Sequence, residues 1–174
     1  SLRKQVSYVF EAATLRPKLE TASEVMISIT KSNKKYKVPQ IASEKSRRSI
    51  FKKEFKRLDI PQHMAKLINY ALIDILNRYD NTLIFGEDVA QKGGVYNVTS
   101  EIFKIFGPRR IFNSPLDETS IIGFGLGFAH NGFIPIPEIQ FLAYFHNAED
   151  QLRGEAATLA FFSNGQFSNP MVLR

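Results

Sequence analysis

The chain has 174 residues, 44% hydrophobic and 12% aromatic, a globular composition large enough for one domain with an extension but not for two full domains. It has no cysteine, which excludes disulfides and thiolate metal sites, and no run of about 18 apolar residues, which excludes a transmembrane helix. The net charge of +6 is uneven: residues 1–60 carry 15 Lys/Arg against 6 Asp/Glu, and residues 61–174 carry 8 against 11, so a basic leader precedes a mildly acidic region.

In chain order, residues 1–13 are predicted to be weakly helical, with Arg16 and Pro17 marking the end. Thr21 and Glu24 spell a capping box before the apolar run 25–29. Residues 31–48 are rich in Lys, Ser, Asn and Arg and contain Pro39, which predicts a loop or disorder. Phe51, Phe55, Leu58 and Ile60 form a candidate docking strip before Pro61. A basic leader can serve nucleic acid or an anionic membrane. This one lacks aromatic interleaving and any nucleic-acid fold signature, so a solvated linker is the preferred reading.

From Pro61 the pattern changes. Met64, Leu67, Ile68, Ala71, Leu72, Ile75 and Leu76 recur at helical spacing. Residues 82–85 (TLIF) read as a buried strand ending at Gly86, Glu87 and Asp88. A helix is predicted over 97–106, closed by Gly107 and Pro108, then a short strand over 110–113 leading into Ser114, Pro115 and Leu116. A Gly-rich helix runs to about 131–132, and residues 134–139 form a strand whose two prolines suggest an edge or irregular position. A helix over 147–161, a turn at 163–165 and a strand from 170 complete the chain. Alternating strands and helices predict an α/β fold with a largely parallel sheet. Ligands in such folds sit beyond the carboxyl ends of the strands, here 86–88, 114–118 and 140–144.

The Gly-rich helix is not a dinucleotide fingerprint, because its spacing is wrong and its acidic pair precedes it. Asp117 and Glu118 would also repel phosphate at that helix start. Gly123 with Gly127, and Gly125 with Ala129, form two small-residue pairs that predict close packing against another helix. Each glycine costs the helix about 1 kcal/mol relative to Ala, so packing must compensate. Glu118 suits either a dipole-stabilised carboxylate or a proton-handling site. His63, His130 and His146 have no partners at metal-ligand spacing.

FGEDVA (85–90), GGVYNVT (93–99), FGPRRIFNSPLDE (106–118), IIGFGLGFAHNG (121–132), PEIQF (137–141) and AEDQ (148–151) occur in order. Together they resemble the beta subunit of 2-oxo acid dehydrogenases, part of the thiamine-diphosphate-dependent decarboxylating component of the pyruvate and branched-chain 2-oxo acid complexes. The resemblance runs from about residue 64 to 174 and implies a transketolase-like pyrimidine-binding domain, truncated at its C-terminal side. Residues 1–30 would then be the helical tail of a preceding domain, 31–60 a basic linker and 61–174 the incomplete domain.

By residue-by-residue matching, Glu118 takes the place of the glutamate in PL-x-E that hydrogen-bonds the aminopyrimidine ring and is the candidate catalytic residue. Tyr144 matches the aromatic residue against that ring, Leu116 a residue lining its pocket, Glu87 a buried acid nearby and Gln140 the rim. The resemblance further implies magnesium held by an alpha-like diphosphate-binding domain, whose GDG…N motif does not occur here. It also implies a 2-oxo acid substrate, acyl transfer to a lipoyl acyltransferase partner and a homodimer. A cytoplasmic location is expected, or the mitochondrial matrix in a eukaryote. The opening on Ser1 suggests an excised piece; the long basic leader fits a fused enzyme, and the piece alone is expected to be catalytically silent. Two alternatives stand beside this reading: a transketolase-like or acetoin-cleaving thiamine enzyme, and a non-catalytic assembly module.

Overall fold

A run of five buried residues, TLIFG, forms the central strand β1 (Thr82–Gly86). It lies between two parallel neighbours, β2 (Ile111–Asn113) and β3 (Ile134–Glu138), in the order β2-β1-β3. A strand covered on both faces favours an apolar run without alternation, and Leu83, Ile84 and Phe85 supply it after the buried Thr82. The computed structural model describes residues 1–27 and 42–174, which fall into two compact units, within residues 1–34 and 35–174.

The two faces of the sheet build separate cores. Ile84, Ile111 and Ile136 share one register and point to one side, where they pack with Leu72, Ile73 and Leu76 of α4 (Met64–Arg78). Leu83, Phe85 and Phe112 point to the other, against Ile121 and Phe128 of α6 (Glu118–His130). There Phe85 stacks on Phe112 with ring centroids 5.4 Å apart. Arg110, just before β2, joins strand to helix. Its guanidinium donates to the carbonyls of Leu76, Tyr79 and Thr82 at 3.0, 2.6 and 2.8 Å, so it satisfies carbonyls that the end of α4 leaves open. Burial pushes its pKa down.

The predicted loop over 31–48 gives way to a helix within the described residues. α3 (Glu44–Phe51) starts at Ser43, whose hydroxyl accepts from the Ser46 N–H at 3.2 Å. Arg47 and Phe51, four residues apart and so on one face, both dock on α4. The Arg47 guanidinium grips Asp74 with two bonds of 2.9 and 2.8 Å, and Phe51 meets Tyr70 edge to face at 5.6 Å. A 3₁₀ segment (Lys52–Arg57) follows, and Phe55 and Leu58 pack against the same core, whereas Ile60 is exposed. The docking strip therefore exists without its last member. Residues 28–41, including most of the basic run, lie outside the described residues.

Other boundaries shift for local reasons. The predicted helix over 97–106 shortens to α5 (Ile102–Phe106), because Tyr96, Asn97 and Glu101 adopt positive φ values of 54°, 58° and 66°. The preceding loop is held instead by the buried Asn69, whose amide donates to the carbonyls of Val98 and Ser100 at 2.8 and 3.0 Å. The predicted helix over 147–161 becomes a 3₁₀ segment (Leu142–Ala148), a π turn (Gln151–Ala156) and α7 (Leu159–Phe162). Gly154 sits inside this irregular stretch, and the Thr158 hydroxyl bonds back to its carbonyl at 2.5 Å, both of which weaken a regular helix.

Pro135 and Pro137 occupy β3 positions that face away from β1. Their carbonyls accept from the N–H groups of Val172 and Arg174 at 3.1 and 3.0 Å, but the rings return no donor, so residues 171–174 run beside β3 without forming a regular strand. In the N-terminal unit, α1 (Leu2–Thr14) ends before Arg16, and α2 (Ala22–Ile27) opens on the predicted capping box. There the Glu24 N–H donates to the Thr21 hydroxyl at 3.2 Å and the Thr21 N–H to the Glu24 carboxylate at 3.0 Å.

Phe51→Ala should lower unfolding free energy by about 3–5 kcal/mol, and Ile60→Ala by under ~0.5 kcal/mol, in denaturant titrations. A pH dependence follows from Glu54, which accepts from the Tyr70 hydroxyl at 2.7 Å. That bond, opposed by burial and aided by Lys66 and Arg57, holds the Glu54 carboxyl below its ordinary value. The stabilisation is thus present above the ordinary carboxylate range and is lost as pH falls through the folded value. Tyr70→Phe should cost about 1 kcal/mol at neutral pH, and the difference from the parent should shrink toward pH 3.

Candidate functional site

The three parallel strands finish level. Gly86, the last residue of β1, pairs with Asn113 at the end of β2 and with Glu138 at the end of β3. Glycine is required there: a Cβ on residue 86 would stand 2.8 Å from the Glu138 carbonyl oxygen and 2.9 Å from its Cβ. The loops that leave these ends are stitched together. The Ser114 N–H donates to the Gly86 carbonyl, and the Ala90 N–H to the Asn113 side chain, each at 2.9 Å.

Two groups of the predicted site residues form at this edge. In one, the Gln140 amide donates to the Glu87 carbonyl at 3.1 Å, so these residues meet through main chain and not through the Glu87 carboxylate. Glu87 is half-buried; the deeply buried acid nearby is Glu138, 2% exposed and ion-paired with Arg174. Burial pushes the Arg174 guanidinium pKa down, and Glu138 Oε1 has no hydrogen-bond partner among the described residues. A cleft of about 360 Å³ opens here, lined by Met64, Ile68, Tyr96, Glu138, Gln140 and Arg174 among others. Glu118, Leu116 and Tyr144 do not line it.

The second group is at the mouth of α6. Asp117 is the N-cap: its carboxylate accepts from the Ser120 N–H at 3.1 Å and from the Ser120 hydroxyl. Because Asp117 takes the capping role, the carboxylate of Glu118 is not spent on the helix N–H groups. Glu118 Oε2 instead accepts from the Asn147 amide at 3.2 Å, and the neighbouring Thr119 hydroxyl donates to the Asn147 carbonyl at 2.9 Å. Tyr144 precedes Asn147 by three residues on the same 3₁₀ segment, which places them on one face. It is 45% exposed and meets Phe141 edge to face at 5.7 Å, and Leu116 is 72% exposed. A carboxylate with one oxygen engaged, beside uncovered aromatic and aliphatic surface, suits a flat ring with a polar edge.

Among the described residues, Gly125 is the one glycine of α6 with close neighbours. A Cβ there would lie 2.6 Å from Met171 Sδ and 3.3 Å from Pro137 Cγ, so its close contact is with β3 and the terminal segment, not with a helix as predicted. A Cβ at Gly123 or Gly127 would meet nothing within 4 Å among the described residues. His146 is exposed, 3.9 Å from Glu149; His130 contacts the Asn169 side chain at 3.1 Å; His63 begins α4 without a side-chain cap. Among the described residues, no cluster of three His, Asp or Glu could hold a metal ion. Sequence reasoning missed Asn147 and Glu138. For Glu138 the signal was a charged residue within the apolar IPIPE strand; Asn147 had none.

A sequence profile of the family described as "Transketolase, pyrimidine binding domain" matches residues 61–161, more than half the chain. Over 111 residues, 64% of this chain, it is 42% identical to the pyruvate dehydrogenase E1 component subunit beta of Staphylococcus epidermidis, covering 34% of that protein. It is 40% identical to the 3-methyl-2-oxobutanoate dehydrogenase subunit beta of Mycobacterium tuberculosis, covering 32% of it. Against the pyruvate dehydrogenase E1 component subunit beta of Bacillus subtilis the figures are 39% and 34%. The matched region thus spans about a third of the length of these relatives.

Two substitutions in α6 test its packing. Gly125→Val should destabilise the chain by about 1–3 kcal/mol, whereas Gly123→Ala, which meets nothing, should stabilise it by about 0.5–1 kcal/mol in thermal or denaturant unfolding. Equal destabilisation by both would contradict the one-sided contact.

Proposed function

The chain belongs to the transketolase pyrimidine-binding domain family, and on that premise we propose that it supplies the pyrimidine-binding side of a thiamine-diphosphate-dependent 2-oxo acid dehydrogenase. The observation that carries this reading is Glu118 at the mouth of α6, with one carboxylate oxygen held by Asn147; the exposed Leu116 stands two residues before it in the chain and the exposed Tyr144 three residues before Asn147. The relatives named for pyruvate and 3-methyl-2-oxobutanoate dehydrogenases support a short or branched 2-oxo acid as substrate.

Each residue has a role that its chemistry allows. The Glu118 carboxyl hydrogen-bonds a pyrimidine ring nitrogen and moves a proton to and from it. Leu116 and Tyr144 cover the faces of the ring and exclude water from the bond. Gln140, fixed on the Glu87 carbonyl, forms the rim where β3 ends. When bound, thiamine diphosphate supplies the electron sink for decarboxylation. A separate alpha-like domain holds its diphosphate through magnesium. A lipoyl acyltransferase accepts the acyl group, two copies of the assembly pair, and the enzyme works in the cytoplasm or the mitochondrial matrix.

The test is Glu118→Gln in the assembled enzyme, assayed with 2-oxo acids and a dye acceptor. Turnover should fall by at least about 100-fold, the lower end of what a positioned proton-transfer group contributes. Turnover within about threefold of the parent would overturn the assignment.

A further inference from the structure

We infer that Asn147 is the positioning residue for Glu118, holding one carboxylate oxygen so that the other is presented to the cofactor ring. This rests on the reading of Glu118 given above and deepens it. A half-exposed glutamate has three torsions to order, and a site that needs one of its rotamers must fix it before the ring arrives. Among the described residues, the Asn147 amide at 3.2 Å is the only hydrogen-bond donor to this carboxylate. The donor is itself fixed at two points. The main-chain carbonyl of Asn147 accepts from the Thr119 hydroxyl at 2.9 Å, which anchors the backbone that carries the amide. The next residue, Ala148, is fully buried against Ile122, one turn further along α6 from Glu118.

The chemistry of an amide suits this task. An ionised carboxylate only accepts hydrogen bonds, so the NH₂ end of Asn147 must face it, which sets the orientation of the side chain. The amide carries no charge and does not titrate at working pH. It therefore orients Glu118 without competing for the proton that Glu118 exchanges with the ring. Oε2 is occupied by Asn147, and Oε1 is left to meet a ring nitrogen. Thr119, adjacent to Glu118, closes the arrangement, because the same helical turn carries both the carboxylate and the anchor of its partner.

The experiment uses the assembled enzyme with thiamine diphosphate and magnesium. It reads hydrogen–deuterium exchange at the thiazolium carbon of the bound cofactor, cofactor affinity by calorimetry, and kcat with the 2-oxo acid. Asn147→Ala should slow exchange and kcat together by about tenfold, the worth of one hydrogen bond to a charged group, with cofactor affinity changed less than about threefold. Thr119→Val should slow exchange by about threefold, and Asn147→Asp should slow it more than Asn147→Ala because two carboxylates then face each other. Exchange within about twofold of the parent in Asn147→Ala, or a loss of affinity as large as the loss of exchange, would overturn the inference. If Asn147→Ala does not assemble, Thr119→Val decides, and parental exchange in that variant overturns it. Glu118→Gln separates the two levels. Abolished exchange there with parental exchange in Asn147→Ala removes only the role of Asn147, whereas parental exchange in Glu118→Gln removes the reading of Glu118 as well.

Discussion

Everything at the candidate site depends on three strands ending at the same height, and that depends on the missing side chain of Gly86. With no Cβ to intervene, the end of β1 closes to within contact of the Glu138 backbone, and its carbonyl receives the Ser114 N–H from the loop after β2. The loops after β1, β2 and β3 are thereby held as one edge. A larger residue at position 86 would separate β1 from β3 at the point where Gln140 reaches across to Glu87. The site is thus a consequence of strand register before it is a set of side chains.

Support for that register comes from both faces of β1. One face is completed by α4, whose outer surface carries α3 through the Arg47–Asp74 pair and the Phe51–Tyr70 contact. The basic stretch is therefore partly architecture: its cations hold the helix onto the domain at Arg47, and its aromatic residue enters the core at Phe51. The other face is completed by α6, which also carries Glu118. Gly125 lets this helix lie directly over Pro137, so the helix that presents the carboxylate is seated on the strand that leads to Gln140 and Tyr144.

The α/β order, the parallel sheet, the three strands and α4 and α6 were legible because each is encoded locally: by an unbroken apolar run, by helical spacing, or by small residues four apart. The loop edge was legible from a general property of parallel sheets. What escaped was non-local. Arg47 looks like linker until Asp74 is brought beside it, and Phe51, legible as part of a docking strip, gains its partner only when Tyr70 meets it across the fold. The left-handed residues Tyr96, Asn97 and Glu101 carry no strong local signature, because the buried amide of Asn69 holds their loop from another helix. Glu118 stood out by its motif, but Asn147, 29 residues further on, acquires meaning only from a contact across the fold.

The most direct test of the account is a structure of the assembled enzyme with thiamine diphosphate bound. The account predicts a pyrimidine nitrogen within about 3 Å of Glu118 Oε1, with Asn147 still on Oε2 and the Tyr144 ring against the pyrimidine. A pyrimidine seated instead in the cleft beside Glu138 and Gln140, with the Glu118 carboxylate left facing solvent, would contradict it.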